Sequence, residues 1–178
     1  DDVFIRPFTI NEIDDDLIIE FHVYLYFSRE VIQKWEVKCN QVKDYKLTLD
    51  YFEDIELTSN HPILLEHKEA NCELYFHGES IEVYKVIGEL LIEHQKVTDN
   101  WIEFHHFING SIEWLLNQQQ GLLAKGPESI INIYHNVLES NQVKTSILKL
   151  NQLQEETTAL LLGKSYIISK EFEFNRLL

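Results

Sequence analysis

The chain has 178 residues, of which 44% are hydrophobic and 12% aromatic, and its net charge of −15 comes from 30 acidic and 15 basic residues. This length and composition are typical of one folded domain with a sizeable core, and they exclude a disordered chain. The acidic balance argues against nucleic acid or an anionic membrane surface as a partner, because both are bound by clustered lysine and arginine.

The N-terminal part shows the alternation of apolar and polar residues that is typical of β-strands. Strands are predicted at 17–27, 31–39 and 45–51, with a shorter one at 72–76. Residues 28–30 have the length of a hairpin connection between the first two strands. Closely spaced strands with one polar face predict an antiparallel meander whose apolar face is covered by another layer.

Near residue 79 the spacing of the apolar residues changes to that of helices. An apolar stripe runs from Val83 to His94, and Ser80 is its predicted N-cap. A second helix is predicted to begin after the N-cap Ser111 and to stop at Gly121.

A third helix is predicted over 126–140, with Pro127 in its first turn. The segment 121–129 carries two glycines and Lys125 ahead of this helix, and free N–H groups at a helix start can bind an anion. Because Pro127 lacks an N–H group and Glu128 is itself negative, we interpret the segment as a tight connection between two helices.

The C-terminal part returns to strands, with two apolar runs around a predicted type II′ turn at Gly163-Lys164. Two strands alone are marginally stable, so we expect this hairpin to join the first sheet. The order of elements predicts an α+β fold, in which an N-terminal antiparallel meander sheet is covered by a central helical layer and a C-terminal β-hairpin returns to the sheet. We expect one domain over 1–178, with a β-rich part at 1–78, a helical part at 79–142 and the hairpin at 157–175.

The stretch WIEFHHFING, residues 101–110, places two adjacent histidines among aromatic residues. On a strand the two rings would point to opposite faces, and on a helix they would lie about 100° apart, so the pair is a poor chelate. We interpret the stretch as a packing element in which Trp101, Phe104 and Phe107 anchor the helical layer and one histidine is exposed.

The alternative is a metal site assembled from His94, Glu103, His106 and His135, since nitrogen and oxygen ligands of this kind suit zinc or another divalent metal. No His-Glu-x-x-His motif, nucleophile elbow or phosphate-binding loop is present. A histidine on an apolar stripe, such as His94, more often holds a backbone carbonyl. We therefore expect no metal or other cofactor, and keep a metal-dependent enzyme or metal-binding protein as the alternative function.

The densest acidic stretches are 14–16 and 50–56, and neither contains the glycine turn that calcium loops use. Aromatic residues lie among the acids of the second stretch, as they do in surfaces that bind proteins. The predicted binding residues are Tyr45, Asp50, Tyr51, Glu53 and Asp54.

No apolar run reaches the about 18 residues of a transmembrane helix, and no signal peptide is recognisable at the first residues. Cys39 and Cys72 form no Cys-x-x-Cys pair, which indicates two reduced, buried thiols in a cytoplasmic protein. These features favour a protein-interaction domain without catalytic activity, and the negative charge favours a basic protein partner. A further hypothesis is a homodimer that forms through an exposed sheet face with Tyr24 and Tyr26.

Overall fold

A computed structural model describes residues 3–48, 50–150 and 155–178. Its strands are β1 (Val3–Ile13), β2 (Asp16–Leu25), β3 (Val31–Lys46), β4 (Glu56–Thr58), β5 (Asn71–His77), β6 (Gln120–Pro127), β7 (Lys144–Lys149), β8 (Thr158–Leu162) and β9 (Ser165–Arg176). Its helices are α1 (Leu65–Lys68), α2 (Val83–Thr98), α3 (Ile112–Asn117) and α4 (Glu128–Ser140), with 3-10 turns at Pro62–Leu64 and Phe104–Phe107. Antiparallel sheets with a few helices confirm the predicted α+β fold class.

The chain divides into two compact units. Unit 1 comprises Asp1–Leu64 and Glu156–Leu178, and unit 2 comprises Leu65–Glu155. The start of unit 2 does not coincide with the change of pattern near residue 79, because β5, which the alternation predicted, belongs to the sheet of unit 2.

Unit 1 is built on one antiparallel sheet in the order β1-β2-β3-β9-β8-β4. The predicted meander and the return of the C-terminal hairpin are both confirmed, since β9 pairs along β3 from Trp35 to Lys46. Gly163 has a φ of +60° and Lys164 has no positive φ, which is the pattern of the predicted type II′ turn.

The two edges of this sheet are linked through residues 52–58. The N–H group of Ile5 donates to the carbonyl of Phe52 at 2.8 Å, and the N–H group of Phe52 donates to the carbonyl of Ile5 at 2.9 Å. Strand β4 begins four residues further on and pairs with β8 at the other edge. The inward side chains form one core, made of Leu17, Ile19, Phe21, Val37, Cys39, Phe52, Leu160, Leu162 and Ile167.

Strands β1 and β4 were not predicted from the sequence, and β3 was divided wrongly. Strand β3 continues without a break through residues 40–46, so the strand predicted at 45–51 is only its end, and Leu49 lies outside the described residues. The alternation is weak at 40–44 because Val42 is the single apolar residue there. Pairing with β9 keeps this stretch in the sheet regardless of its polarity, with a positive φ of +55° at Gln41 and a shift of register between Val42 and Asp44.

Unit 2 contains the antiparallel sheet β6-β5-β7, and α2 and α4 contribute their apolar faces to its core. The predicted stripes are confirmed: α2 buries Val86, Leu90 and His94. Helix α4 buries Ile130, Ile131, Tyr134, Val137 and Leu138.

Several local expectations in this region are wrong. Ser80 does not cap α2, which starts after Glu82, whereas Ser111 caps α3 by accepting a hydrogen bond from the N–H group of Trp114. Gly121 does not end a helix: α3 ends at Asn117, and Gly121 lies in β6. The segment 121–129 is therefore a strand that leads into α4, because a short continuous apolar run can adopt either structure and tertiary pairing decides.

Both cysteines are free and buried, as expected. Burial, together with the nearby charge of Asp16, raises the pKa of Cys39 to about 12. Burial also raises the pKa of Cys72. Among the described residues no helix is long and apolar enough to cross a membrane.

Replacement of Gly126 by alanine is expected to destabilise unit 2. A Cβ atom there would lie 2.5 Å from Cδ1 of the buried Phe107 ring, and overpacking of this kind costs about 1–3 kcal/mol. The control is Gly88→Ala in α2, where an added Cβ meets nothing within 4 Å and the helix gains up to about 1 kcal/mol. Chemical denaturation of both variants measures the difference, and a Gly126→Ala variant as stable as the wild type would contradict this packing.

Candidate functional site

An aromatic cluster lies on the outward face of β1 and β2. The pairing register places Phe4 opposite Tyr24, and their rings stack with centroids 5.0 Å apart. Tyr26 and Tyr51 contact the Phe4 ring edge-on, at centroid distances of 6.2 and 5.8 Å. Phe4 is therefore the centre of the cluster.

Tyr51 reaches this face because of its neighbour Phe52. Phe52 pairs with Ile5 and is buried, with its ring edge-on to Phe21 in the core. Since successive side chains of an extended chain point to opposite faces, Tyr51 points outward beside β1. Tyr51 is 64% exposed and Tyr26 55% exposed.

These residues line a groove of about 540 Å³, which we call the aromatic groove. Its lining residues are Phe4, Arg6, Tyr24, Tyr26, Arg29, Asp50 and Tyr51. Its volume lies within the range of about 300–1,000 Å³ that is usual for ligand sites.

Two of the three arginines of the chain, Arg6 and Arg29, line this groove. In the part of the chain that the structure describes, neither guanidinium makes a side-chain hydrogen bond or an ion pair. Arg6 pairs across the strands with His22, whose Nε2 lies 2.7 Å from the Glu20 carboxylate, so this nearby acid is already engaged.

The structure separates the five predicted binding residues. Asp50 and Tyr51 line the aromatic groove, whereas Tyr45 lines another hollow of about 260 Å³. Glu53 and Asp54 are exposed and line neither. The hollow beside Tyr45 is acidic, with Glu12, Asp14, Asp15, Asp16 and Asp44 in its lining.

His94 is a buried core residue of unit 2 with two hydrogen-bond partners. Its Nε2–H group donates to the carbonyl of Ile102 at 2.8 Å, and the Tyr134 hydroxyl donates to Nδ1 at 2.8 Å. These partners fix the neutral tautomer, since the carbonyl can only accept. This confirms the interpretation of His94 as a residue that holds a backbone carbonyl. Burial lowers the pKa of His94 and raises that of Tyr134.

The other three alternative metal ligands have separate partners. Glu103 is exposed and lies 3.1 Å from Nε2 of His105, and His106 lies 3.0 Å from Glu66. His135 is bonded through Nδ1 to the Thr145 hydroxyl. The four residues are thus not brought together, and residues 3–48, 50–150 and 155–178 contain no group of three or more His, Cys, Asp or Glu that could hold a metal.

The stretch at 101–110 is a packing element built around a 3-10 turn. Phe107 is buried, Phe104 and Trp101 are half-buried, and Phe104 contacts the His94 ring edge-on. Both His105 and His106 are exposed, whereas only one exposed histidine was predicted from the sequence. A 3-10 turn has about three residues per turn, so adjacent rings can both lie at the surface.

A hollow of about 660 Å³ lies at one end of the sheet of unit 2, and Thr145 is part of its lining. The Thr145 hydroxyl and N–H group both donate to the Glu139 carboxylate at 2.9 Å. With that hydroxyl proton committed to Glu139, Nδ1 of His135 donates to the hydroxyl oxygen and does not act on it as a base.

Comparison of the chain with protein-family models, with curated proteins and with solved structures found no match. The residues of the site are therefore interpreted from their own geometry.

Most of the groove was missed from sequence. The face that carries Tyr24 and Tyr26 was recognised as exposed, but Phe4, Arg6 and Arg29 were not assigned to it. The recognisable feature is the outward alternation of Phe4 and Arg6, which becomes informative only once β1 is known to be a strand.

Lowering the pH below about 6.5, the ordinary pKa of histidine, is expected to destabilise the fold through His94. Because burial lowers the pKa of His94 in the folded state, the unfolded chain takes up this proton at a higher pH than the folded chain does. The contribution of His94 to the free energy of unfolding is therefore fully present above the pKa that this residue has in the unfolded chain, and it is lost as the pH falls below that value.

Urea denaturation at about pH 7 and about pH 5 measures this effect. The His94→Gln variant should lose less stability between the two pH values than the wild type, whereas a His105→Gln control at the surface should behave as the wild type does. An equal pH dependence of the wild type and His94→Gln would rule out this role of His94.

Proposed function

We propose that this protein is an interaction domain that binds another protein through the aromatic groove of unit 1 and does not itself catalyse a reaction. The observation that carries the proposal is the combination of four aromatic rings with two arginines in one groove. Tyrosine and arginine are the side chains that most often dominate the energy of protein interfaces, because each joins a large apolar surface to a polar group.

The net charge of the chain supports a basic protein as the partner. A charge of −15 attracts basic proteins over distances longer than any contact and speeds their encounter. Asp50 in the groove and the exposed acids Glu53 and Asp54, which follow along the chain, would then face the partner at the rim of the interface.

A metal-dependent enzyme receives less support. Its candidate ligands have different partners. His94 is bonded to a carbonyl and a tyrosine hydroxyl. His106 is bonded to a carboxylate and His135 to a threonine hydroxyl. Such bonds account for these histidines as structural residues without a metal.

The double variant Tyr26→Ala/Tyr51→Ala is expected to bind a partner at least about 10-fold more weakly than the wild type, because truncation of an interface anchor costs about 1–2 kcal/mol or more. The control is Trp114→Ala, which removes an exposed aromatic residue of unit 2. Affinity capture from a lysate of the source organism identifies the partner, and titration with the purified partner at low and high salt measures the affinities.

Weaker binding at high salt would agree with a basic partner. Equal affinities of the wild type and the double variant, with unchanged melting temperatures, would place the interface outside the groove. If only further copies of the chain are captured, the protein is a homodimer and the proposal of a different partner fails.

A further inference from the structure

We infer that the aromatic groove binds a carboxylate that is flanked by an aromatic or large apolar side chain, both on one extended segment of the partner protein. This inference rests on the proposed function and names the chemistry that its site recognises. It assigns the carboxylate to Arg6 and Arg29, and the apolar side chain to the rings around Phe4.

The two arginines of the groove have no acidic partner among the described residues. The chain has twice as many acidic as basic residues, yet neither Arg6 nor Arg29 is paired with a carboxylate among the described residues. The planar guanidinium group binds a carboxylate through two parallel hydrogen bonds, so two unpaired guanidiniums in one groove are a ready site for that group.

No acid among residues 3–48, 50–150 and 155–178 is paired with either arginine. The Glu20 carboxylate is bonded to His22, and Asp50 lines the groove without an ion pair to either arginine. The place of the anion is therefore left to a ligand.

Arg29 closes the turn between β2 and β3. Its N–H group donates to the carbonyl of Leu25 at 2.9 Å, and its φ of +55° belongs to this turn. The turn therefore fixes the backbone from which the Arg29 side chain lines the groove.

The apolar part of the ligand would lie against the four aromatic rings of the groove. Phe4 and Tyr24 present a stacked pair, and the more exposed Tyr26 and Tyr51 stand edge-on beside it. An apolar side chain placed against these rings would be removed from water at the same time as the adjacent carboxylate meets the arginines.

A segment of protein fits this groove better than a nucleic acid. A single-stranded nucleic acid carries a charge on every nucleotide and needs a track of cations, whereas this groove offers two cations and the acid Asp50 in a chain of charge −15. One carboxylate matches the two guanidiniums without adding repulsion along the rest of the surface.

Selection from a displayed library of random peptides of about 12 residues, long enough to span a groove of this volume, tests the inference on the full chain. The proteins compared are the wild type, Arg6→Gln/Arg29→Gln and the control Arg176→Gln. The control removes the third arginine, whose Nε–H group donates to the carbonyl of Leu178 in the same chain. The wild type and the control should enrich peptides with Asp or Glu next to an aromatic residue or leucine, and the double variant should not. For a selected peptide, Asp→Asn or Glu→Gln should weaken binding to the wild type about 10-fold, as expected for loss of a charge-assisted pair.

Enrichment of lysine-rich or arginine-rich peptides, or of peptides that bind the double variant equally well, would overturn the inference and leave the proposed function intact. The same holds if no peptide is enriched although a partner is captured in a manner that depends on Tyr26 and Tyr51. If neither a peptide nor a partner is found, both fail.

Measurements on the same three proteins test two other ligands of the groove, a nucleic acid and a second copy of the chain. Binding of a labelled oligothymidine that is lost in Arg6→Gln/Arg29→Gln would show that the groove takes nucleic acid. A dimer in sedimentation that this double variant abolishes would show that the groove takes a second copy of the chain. Either result overturns the inference.

Discussion

The two hydrogen bonds between Ile5 and Phe52 are the constraint on which the architecture of unit 1 and its candidate site depend. They bring the segment that leads into β4 against the free edge of β1, so that residues 52–58 connect one edge of the sheet to the other. They also set the direction of neighbouring side chains: with Phe52 in the core, Tyr51 points to the outward face. Without this contact the groove would lack one of its walls.

A polar pair has a comparable position in unit 2. His94 and Tyr134 lie in an apolar core, where an unsatisfied polar group would be costly, and each completes the other's hydrogen bonding while the Ile102 carbonyl completes that of His94. The same arrangement ties α2 to α4 and to the segment before the 3-10 turn. The chemistry of histidine is thereby used for a structural purpose, and a neutral imidazole is what the burial favours.

The charge of the chain and the charge of the groove act over different distances. The surplus of acidic residues is present in both units, so it describes the molecule as a whole and governs encounter with charged partners. The two arginines act only within hydrogen-bond reach, where they determine which group of the partner is held. A partner that is basic overall and offers one carboxylate to the groove satisfies both, since a protein of either net charge carries acidic side chains.

Much of the local structure is determined by the sequence itself. Alternation identifies β2, the first part of β3, β5 and the terminal hairpin, helical spacing identifies α2 and α4, and Gly163 identifies the hairpin turn, because each of these depends on neighbours a few residues apart. Strands β1, β4, β6 and β7 were missed, since polar edge residues and short apolar runs have no distinctive period. Pairing with an inner strand of the sheet holds them in place.

The site was decided at the tertiary level. Sequence placed Asp50 and Tyr51 in a binding surface, but it grouped them with Tyr45, which lies at another hollow. Only the folded chain brings Phe4, Arg6 and Arg29 to Tyr51, because the register between β1 and Phe52 joins residues that are distant along the chain. The sequence determines which face of each strand is polar. The pairing of Ile5 with Phe52 determines which of these residues come together, and no local pattern encodes that pairing.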